Sequence, residues 1–266
     1  MNSVAAILGS AFPNQFPENL SIEKIEIATP WGKQPLYQIN HPSRPAYMLF
    51  RHDIPHRLLP HQIPYRAQVW ALREVNCGAL LVTSSVGVLD AQLPLFQPLL
   101  VSDAILLDNR LPDGSPCTMF EQPQQGQGHL VLQEGLFSPR LTQQVYELAS
   151  DAIADPKTDV VFAYVGGPRG KTAAENRIWY QLGAQVNSMT LAPEVILANE
   201  LEIPCTGLVV GHKYSLPDGK VSGDSKAVAT SLEESRQSME EIILRFLQQA
   251  EPVSFGNQIF RFDSES

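Results

Sequence analysis

Six strand-like apolar runs in the sequence end on small, hydroxyl-bearing or basic residues. These endings are Gly9-Ser10, Arg51-His52, Ser84-Ser85, Gly166-Gly167, Met189-Thr190 and Gly211-His212. In open α/β sheets, ligands bind outside the carboxyl ends of the strands. The six endings are therefore candidates for a single ligand-binding pocket.

One of these endings lies in the stretch VGGPRGKTAAE, which offers two interpretations from its residues alone. Gly170-Lys171-Thr172 fits the end of a triphosphate-binding loop, G-x-x-x-x-G-K-[ST]. However, the first glycine of that pattern is replaced by Val165, and Pro168 removes one backbone N–H from the anion cradle. The simpler interpretation is a helix start, because Thr172 and Glu175 have the spacing of a capping box. A triphosphate hydrolase is therefore the least favoured hypothesis.

Strand-like and helix-like segments alternate along the chain, which predicts a sheet with helices packed on it. Apolar or alternating runs predict strands at 4–8, 22–28, 35–39, 46–50, 79–85, 103–108, 159–165 and 205–211. Helical periodicity and capping residues predict helices at 65–78, 138–154, 172–183, 192–202 and 231–250.

The predicted helix boundaries rest on specific capping residues. We expect Gly78 to close the first helix at a C-cap position. Ser138, followed by Pro139, is the expected N-cap of the second helix. Ser231 and Glu234 have capping-box spacing at the start of the last helix. We expect a long loop at 109–128, and the tail at 251–266 is unassigned.

Composition limits the class of protein and its partners. The 266 residues carry a formal net charge of -9, and no basic footprint is visible, so we expect no nucleic acid partner. The three cysteines, an odd number without C-x-x-C spacing, favour a reducing cytoplasm over a disulfide framework or a structural zinc site. We expect no secretory signal and no membrane partner, because the first residues lack a basic region and no apolar run is long enough to span a bilayer.

The block from Val165 to Ile203 resembles a block of the trimeric purine nucleoside phosphorylase and methylthioadenosine phosphorylase family. The matching residues are Gly167-Pro168, Ala174-Glu175, Leu182-Gly183-Ala184, Met189-Thr190 and Pro193-Glu194-Val195. Three further stretches match in order: ILGSAF, with Ala11 in place of a glycine; FRHDIPHRLLPHQIPYRAQVWAL, which is similar to the methylthioadenosine branch; and LLVTSSVGVL. The resemblance covers roughly residues 4–250.

This resemblance implies one nucleoside phosphorylase-like α/β domain over residues 1–266, with a central mixed β-sheet, partly barrel-like, flanked by helices. It implies a pentosyltransferase of purine salvage that forms a homotrimer and needs no metal ion or other cofactor. Inorganic phosphate, the co-substrate, would cleave the N-glycosidic bond of a purine nucleoside or 5'-methylthio nucleoside. The products would be the free base and a ribose 1-phosphate.

The resemblance also assigns candidate residues at the phosphate and ribose positions. Residues at or next to phosphate-binding positions are Ser10, Arg51, His52, Ser84 and Thr190. Met189 matches the residue that packs on the ribose. The alternative for Arg51 is a surface or interface ion pair, and the alternative for His52 and His56 is a structural role.

The base-binding positions depart from the family. Lys171 replaces a purine-binding glutamate of one branch, His212 replaces an asparagine or aspartate, and Tyr214 replaces a second aspartate of the methylthioadenosine branch. His212 is the candidate catalytic residue, because an imidazole N–H can donate to the departing base. Lys171 and Tyr214 are base-binding candidates, although Lys171 also fits a solvated loop cation. These departures keep open a second hypothesis, a non-catalytic relative that binds nucleosides or other small ligands.

Overall fold

The central sheet of the protein is built from short apolar runs that are separated by turn residues. The computed structural model describes residues 2–10, 21–40, 43–153, 155–217 and 225–261, with only the backbone of 225–233. The strands are β1 Ser3–Leu8, β2 Ile22–Thr29, β3 Gly32–Ile39, β4 Ala46–Phe50, β5 Cys77–Val88, β6 Pro98–Ile105, β7 Gly128–Val131, β8 Lys157–Tyr164, β9 Val186–Ser188, β10 Cys205–Tyr214 and β11 Gln258–Arg261. The helices are α1 Tyr65–Glu74, α2 Pro139–Ser150, α3 Ala173–Gln181, α4 Ala192–Glu200 and α5 Ser225–Gln249.

Nine strands form one mixed sheet, in the order β10-β6-β8-β9-β5-β1-β4-β3-β2. Strand β10 also pairs in parallel with β5, so β5, β10, β6, β8 and β9 form a closed ring. The remaining four strands continue outward from β5 as an open sheet. The predicted mixed, partly barrel-like sheet is therefore confirmed, and closure of the ring removes most of its exposed edges.

Helices cover both faces of this sheet. Helices α1 and α4 pack on each other on one face, while α2 and α5 pack on each other on the opposite face. Strands β1 and β4 are buried on both faces, as their continuous apolar runs predict. Within the described ranges, no helix combines the length and apolar composition that crossing a membrane requires.

Local capping chemistry correctly predicted two helix starts. The Ser138 hydroxyl accepts from the backbone N–H of Leu141 at the start of α2. At α3, the Thr172 hydroxyl accepts from the backbone N–H of Glu175, whose carboxylate accepts from the backbone N–H of Thr172. The stretch VGGPRGKTAAE therefore contains a capped helix start, as its simpler interpretation predicted.

Other predicted boundaries are wrong. Helix α1 ends at Glu74, and Asn76, with φ of 52°, makes the left-handed turn expected of Gly78, which instead belongs to β5. Asparagine tolerates this conformation because its short polar side chain can hydrogen-bond locally. Helix α5 begins at Ser225, before the expected start at Ser231, whose side chain lies outside the described residues.

Three strands are absent from the sequence-based prediction. The short strand β9 was missed, and β7 lies where the 109–128 loop ends. Within the tail, β11 pairs antiparallel with β7. Ala11 and residues 262–266 lie outside the described part of the chain.

Candidate active site

A cavity of about 420 Å³ opens where five of the six predicted strand endings meet. It falls within the size range of small-molecule sites. Its lining residues are Ser10, His52, His56, Pro60, Ser84, Ser85, Val86, Gly87, Gly170, Lys171, Asn176, Asn187, Ser188, Met189, Thr190, His212, Lys213 and Ser215. Of the six endings, Gly166-Gly167 does not line the cavity, but a Cβ on Gly167 would lie 2.7 Å from the sulfur of Met189.

The position of the cavity follows from the pairing of β5. One edge of β5 pairs with β1 as far as Val82 and with β9 only from Gly87 onward. The other edge pairs with β10 along this length. The backbone of residues 83–86 therefore lies where β1 and β9 diverge, and such switch points are where open α/β sheets bind ligands.

Hydroxyl groups are clustered at one end of this opening. The Ser84 hydroxyl lies 3.0 Å from that of Thr190 and 3.2 Å from that of Ser188. Ser188 in turn donates to the carbonyl oxygen of Ser85. Hydroxyl groups can reorient to donate to an oxyanion, so this cluster fits a phosphate group. The structure thus brings together Ser84 and Thr190, and Ser10 lines the same cavity.

Arg51, predicted at or next to a phosphate-binding position, does not line the cavity and has no exposed surface. Its Nε donates to the carboxylate of Glu194, which is equally buried, and its Nη1 donates to the carbonyl oxygen of Thr83 at 2.7 Å. Gly9 packs directly against it, because a Cβ there would lie 2.8 Å from Nη1. Only Nη2 has no partner within the described residues. Glu194 lies in the first turn of α4, and Arg51 directly follows β4, so the ion pair joins these two elements.

The histidine that follows Arg51 is held as a neutral ring. Nδ1 of His52 lies 2.7 Å from the carbonyl oxygen of Leu58, so Nδ1 carries the proton and Nε2 is left as an acceptor. Its ring stacks on His56 with centroids 4.4 Å apart. Burial, followed by the charge of Arg51, lowers the pKa of His52 to about 4. His52 can therefore accept a hydrogen bond through Nε2 at neutral pH.

The lowered pKa of His52 predicts a specific loss of stability in acid. A histidine whose folded pKa lies below its unfolded pKa of 6.5 stabilises the fold above pH 6.5, and this contribution is lost as the pH falls toward 4. We expect His52→Gln to lose less stability than the wild type between pH 7 and pH 5, measured by urea midpoints. The exposed His61→Gln is the control. An equal pH dependence in His52→Gln and the wild type would refute this.

The residue after Thr190 has a strained backbone. Leu191 is fully buried with φ of 78° and ψ of -60°, and the N–H of Ala192 donates back to the carbonyl oxygen of Thr190. This is a γ-turn, a rare conformation for a branched side chain. Backbone strain of this kind clusters at functional sites, and here it sets the position of Thr190 at the start of α4.

The opposite end of the cavity is formed by residues around Gly87. A Cβ on Gly87 would lie 2.7 Å from the hydroxyl of Ser215 and 3.1 Å from the amide oxygen of Asn187. Asn187 is fixed by a 3.2 Å hydrogen bond that it donates to Asn176 of α3. Ser84 and Gly87 are three residues apart on one strand, so the two ends of the cavity are about 10 Å apart. This length suits a phosphate group and a nucleoside placed end to end.

Two of the predicted base-site residues lie in the cavity wall. Burial, and then the charge of Lys213, lowers the pKa of Lys171 to about 8. His212 is half-buried, stacks on Phe96, and places Nε2 3.4 Å from the hydroxyl of Ser235. Burial also lowers the pKa of His212, which favours a neutral ring. Met189 lines the cavity as well.

Tyr214, predicted to contact the base, does not line the cavity. Its hydroxyl donates to the carbonyl oxygen of Leu93, and its ring packs against the core. The cause is a register shift in β10, where Gly211 pairs with Val86 and Lys213 with Gly87. The irregularity falls at His212, which breaks the alternation that would put residues 212 and 214 on one face. As a result Lys213, which the sequence did not indicate, lines the cavity.

Other lining residues were also missed from the sequence. Asn176 and Asn187 are ordinary polar residues of a helix and a short strand. Only their mutual hydrogen bond and their position in the cavity wall identify them as candidate site residues. Ser188 could have been predicted from the sequence, because it directly precedes the strand ending Met189-Thr190.

A larger cavity of about 700 Å³ lies beside α2 and the start of β8, but it contains none of the predicted site residues.

Comparison with known proteins identifies relatives over nearly the whole chain. A family model described as the phosphorylase superfamily matches residues 11–248. A protein of Methanopyrus kandleri, named a probable S-methyl-5'-thioinosine phosphorylase, is 30% identical over 256 residues, which are 95% of this chain and 94% of the relative. A 6-oxopurine nucleoside phosphorylase of Pyrococcus furiosus is 28% identical over 256 residues, covering 93% and 92% of the two chains.

The fold also matches a solved structure. Methylthioadenosine phosphorylase from Schistosoma mansoni, in complex with tubercidin, superposes with a TM-score of 0.78. The match covers 93% of this chain and 90% of that one, at 22% identity, and supports the fold. Together with the family match over residues 11–248, these findings show that the chain belongs to the phosphorylase superfamily.

Proposed function

We propose that this protein cleaves the N-glycosidic bond of a purine nucleoside or 5'-methylthio nucleoside by phosphorolysis. The observation that carries the proposal is one cavity with a hydroxyl cluster at Ser84 and Thr190 and with base-binding candidates toward Gly87, about 10 Å from Ser84 along β5. Relatives named as thioinosine and 6-oxopurine nucleoside phosphorylases support it.

The reaction needs neither a covalent enzyme intermediate nor a metal ion. An oxygen of hydrogen phosphate forms a bond to the anomeric carbon, and the bond from that carbon to the base nitrogen breaks with its electron pair going to the base. Hydrogen phosphate loses one proton and the base gains one, so the reaction is balanced. We propose inorganic phosphate as co-substrate and no cofactor.

Each end of the cavity would have its own task. Ser10, Ser84 and Thr190 would hold phosphate oxygens, and Nε2 of neutral His52 would accept a hydrogen bond from the phosphate O–H. The charge of Arg51 would act from beneath this end, with Nη2 as its remaining donor. Met189 would pack on the ribose. Fixed donors and charges of this kind stabilise the transition state without reorganisation.

His212 would donate a ring N–H to the departing base. We expect His212→Ala to lower kcat by about 100-fold, the lower range for loss of one hydrogen-bond donor to a developing anion. The KM for phosphate should change little, because His212 is placed toward the Gly87 end of β5. Steady-state kinetics would measure both constants, with His61→Ala as the control. A kcat for His212→Ala within threefold of the wild type would remove His212 from the chemistry.

A direct assay tests the proposed function. The purified protein is incubated with a panel of purine nucleosides and 5'-methylthio nucleosides, with and without phosphate, and free base is measured. We expect release of base that depends on phosphate and yields a sugar 1-phosphate. Thermal stabilisation by nucleosides without turnover would instead support the non-catalytic alternative. No turnover and no binding across the panel would overturn both.

We further propose a cytoplasmic homotrimer. Support for subunit contacts comes from exposed apolar side chains on and beside the β7–β11 pair, namely Val131, Leu132 and Phe260. Support for a reducing compartment comes from the three cysteines, which are buried and unpaired. Light scattering coupled to gel filtration would give a mass near 88 kDa for three 29.4 kDa chains. A monomer mass at assay concentrations would refute the trimer.

A further inference from the structure

The base end of the cavity contains cations and no acid. It is lined by Lys171, Lys213 and His212 beside neutral polar groups, and none of the described lining residues is an aspartate or a glutamate. Lys171 is partly buried, and neither Lys171 nor Lys213 makes a hydrogen bond or ion pair with any described residue. A partly buried ammonium without a partner is costly, so a ligand that supplies an acceptor gains affinity there.

The nearest acid does not neutralise these cations. Glu175 attracts Lys171, yet its carboxylate accepts two hydrogen bonds from Arg169, at 2.9 Å and 2.6 Å, and one from the backbone N–H of Thr172. These three donors occupy both oxygens of the carboxylate. Glu175 therefore serves the helix cap and the Arg169 pair, and the ammonium groups remain free to bind a ligand.

The position of the two lysines relative to the phosphate end follows from the strand register. Lys213 pairs with Gly87 of β5, three residues beyond Ser84, and its positive charge helps to lower the pKa of Lys171. The cations therefore lie at the end of the cavity away from the hydroxyl cluster. A nucleoside whose anomeric carbon faces the phosphate extends its base toward them.

We propose that Lys171, assisted by Lys213, selects a purine base that carries a carbonyl oxygen over one that carries an amino group. The inference rests on the proposed function and names the substrate class of the same cavity, the 6-oxopurine nucleosides. An ammonium group has three donors and no acceptor. A carbonyl oxygen accepts from it, whereas an exocyclic amino group faces donor to donor. When the glycosidic bond breaks, the electron pair that stays on the base also spreads onto the carbonyl oxygen, next to the cation.

Kinetics on matched substrates tests the proposal. Inosine is compared with adenosine, and 5'-methylthioinosine with 5'-methylthioadenosine, so that the 5' group cancels within each pair. We expect kcat/KM to favour the oxo member by ten- to a hundred-fold. Lys171→Met, which keeps the aliphatic stem, should lose most of this preference through a lower kcat/KM for the oxo substrate. Lys33→Met, an exposed lysine on β3, is the matched control.

The pH dependence of the selectivity gives a second readout. Because the pKa of Lys171 is lowered to about 8, the wild-type preference should fade as the pH rises through that value. The neutral amine can then accept as well as donate. The other groups that act on Lys171 are Lys213 and Glu175, and His212 lines the same end. A preference that stays constant from pH 7 to pH 9.5 would contradict the role of Lys171.

A binding measurement separates this inference from the proposed function. Calorimetry with hypoxanthine and adenine needs no turnover. Tighter binding of hypoxanthine, lost in Lys171→Met, supports the inference even if no nucleoside is cleaved. Phosphorolysis of amino substrates at equal or greater kcat/KM overturns the inference and leaves the proposed function intact. Unchanged selectivity in Lys171→Met overturns the assignment to this residue.

Discussion

Replacing Glu194 with alanine should destabilise the protein by about 3–5 kcal/mol, the usual cost of leaving a buried charge without its partner. Arg51 and Glu194 have no exposed surface, and Arg51 cannot reach water when the carboxylate is removed. For a chain of this size we expect the Tm to fall by roughly 10 °C. Denaturant unfolding and calorimetry would measure both quantities.

Two variants show whether the loss arises from the unpaired charge. Glu241→Ala breaks an exposed pair with Arg245 and should cost less than about 1 kcal/mol. The double variant Arg51→Met with Glu194→Leu removes both charges and should recover much of the stability that Glu194→Ala loses. A Glu194→Ala protein as stable as the Glu241→Ala protein would contradict the buried pair.

Removing the Ser84 hydroxyl should raise the KM for phosphate by about 10- to 100-fold, because a hydrogen bond to a charged group contributes about 1.5–3 kcal/mol. Ser84 lies between the hydroxyls of Thr190 and Ser188 at the open edge of β5, and no bulky group fills that space in Ser84→Ala. The KM for the nucleoside should change less than threefold. Initial rates over a grid of both substrate concentrations would separate the two constants.

A matched serine on the same sheet provides the control. Ser102 of β6 contacts the carbonyl oxygen of Val160 outside the candidate active site, so Ser102→Ala should leave both constants unchanged. If Ser84→Ala changed the KM for the nucleoside and left that for phosphate unaltered, the hydroxyl cluster would belong to the sugar or base end instead.

The sequence predicted the location of the site through the chemistry of strand endings. His52 follows β4, and Ser84 and His212 lie toward the carboxyl ends of β5 and β10, so these three line one cavity because the strands run parallel. Thr190 reaches the same cavity from the end of β9, which runs antiparallel to β5. The capping box of Thr172 and Glu175 could also be predicted from the sequence, because a helix cap depends on residues at most four positions apart. Local chemistry of this kind does not require knowledge of the fold.

The burial of Arg51 could not be predicted from the sequence. A charged residue at a strand end usually faces solvent or a ligand, and the partner that allows its burial, Glu194, is 143 residues away. The sequence contained both residues within the blocks that resemble the family. Only the tertiary fold, which brings the first turn of α4 to the residue that follows β4, decides that they meet each other.

The sequence by itself thus determined an alternating α/β chain, the strand endings that supply the hydroxyls and histidines, and the cation at Lys171. Tertiary structure decided which side chains share the cavity. The register shift at His212 places Lys213 in the cavity wall and Tyr214 against Leu93, and the divergence of β1 and β9 opens the edge of β5. Both depend on pairing between distant strands, whose register is set by the packing of the whole sheet and not by local sequence preference.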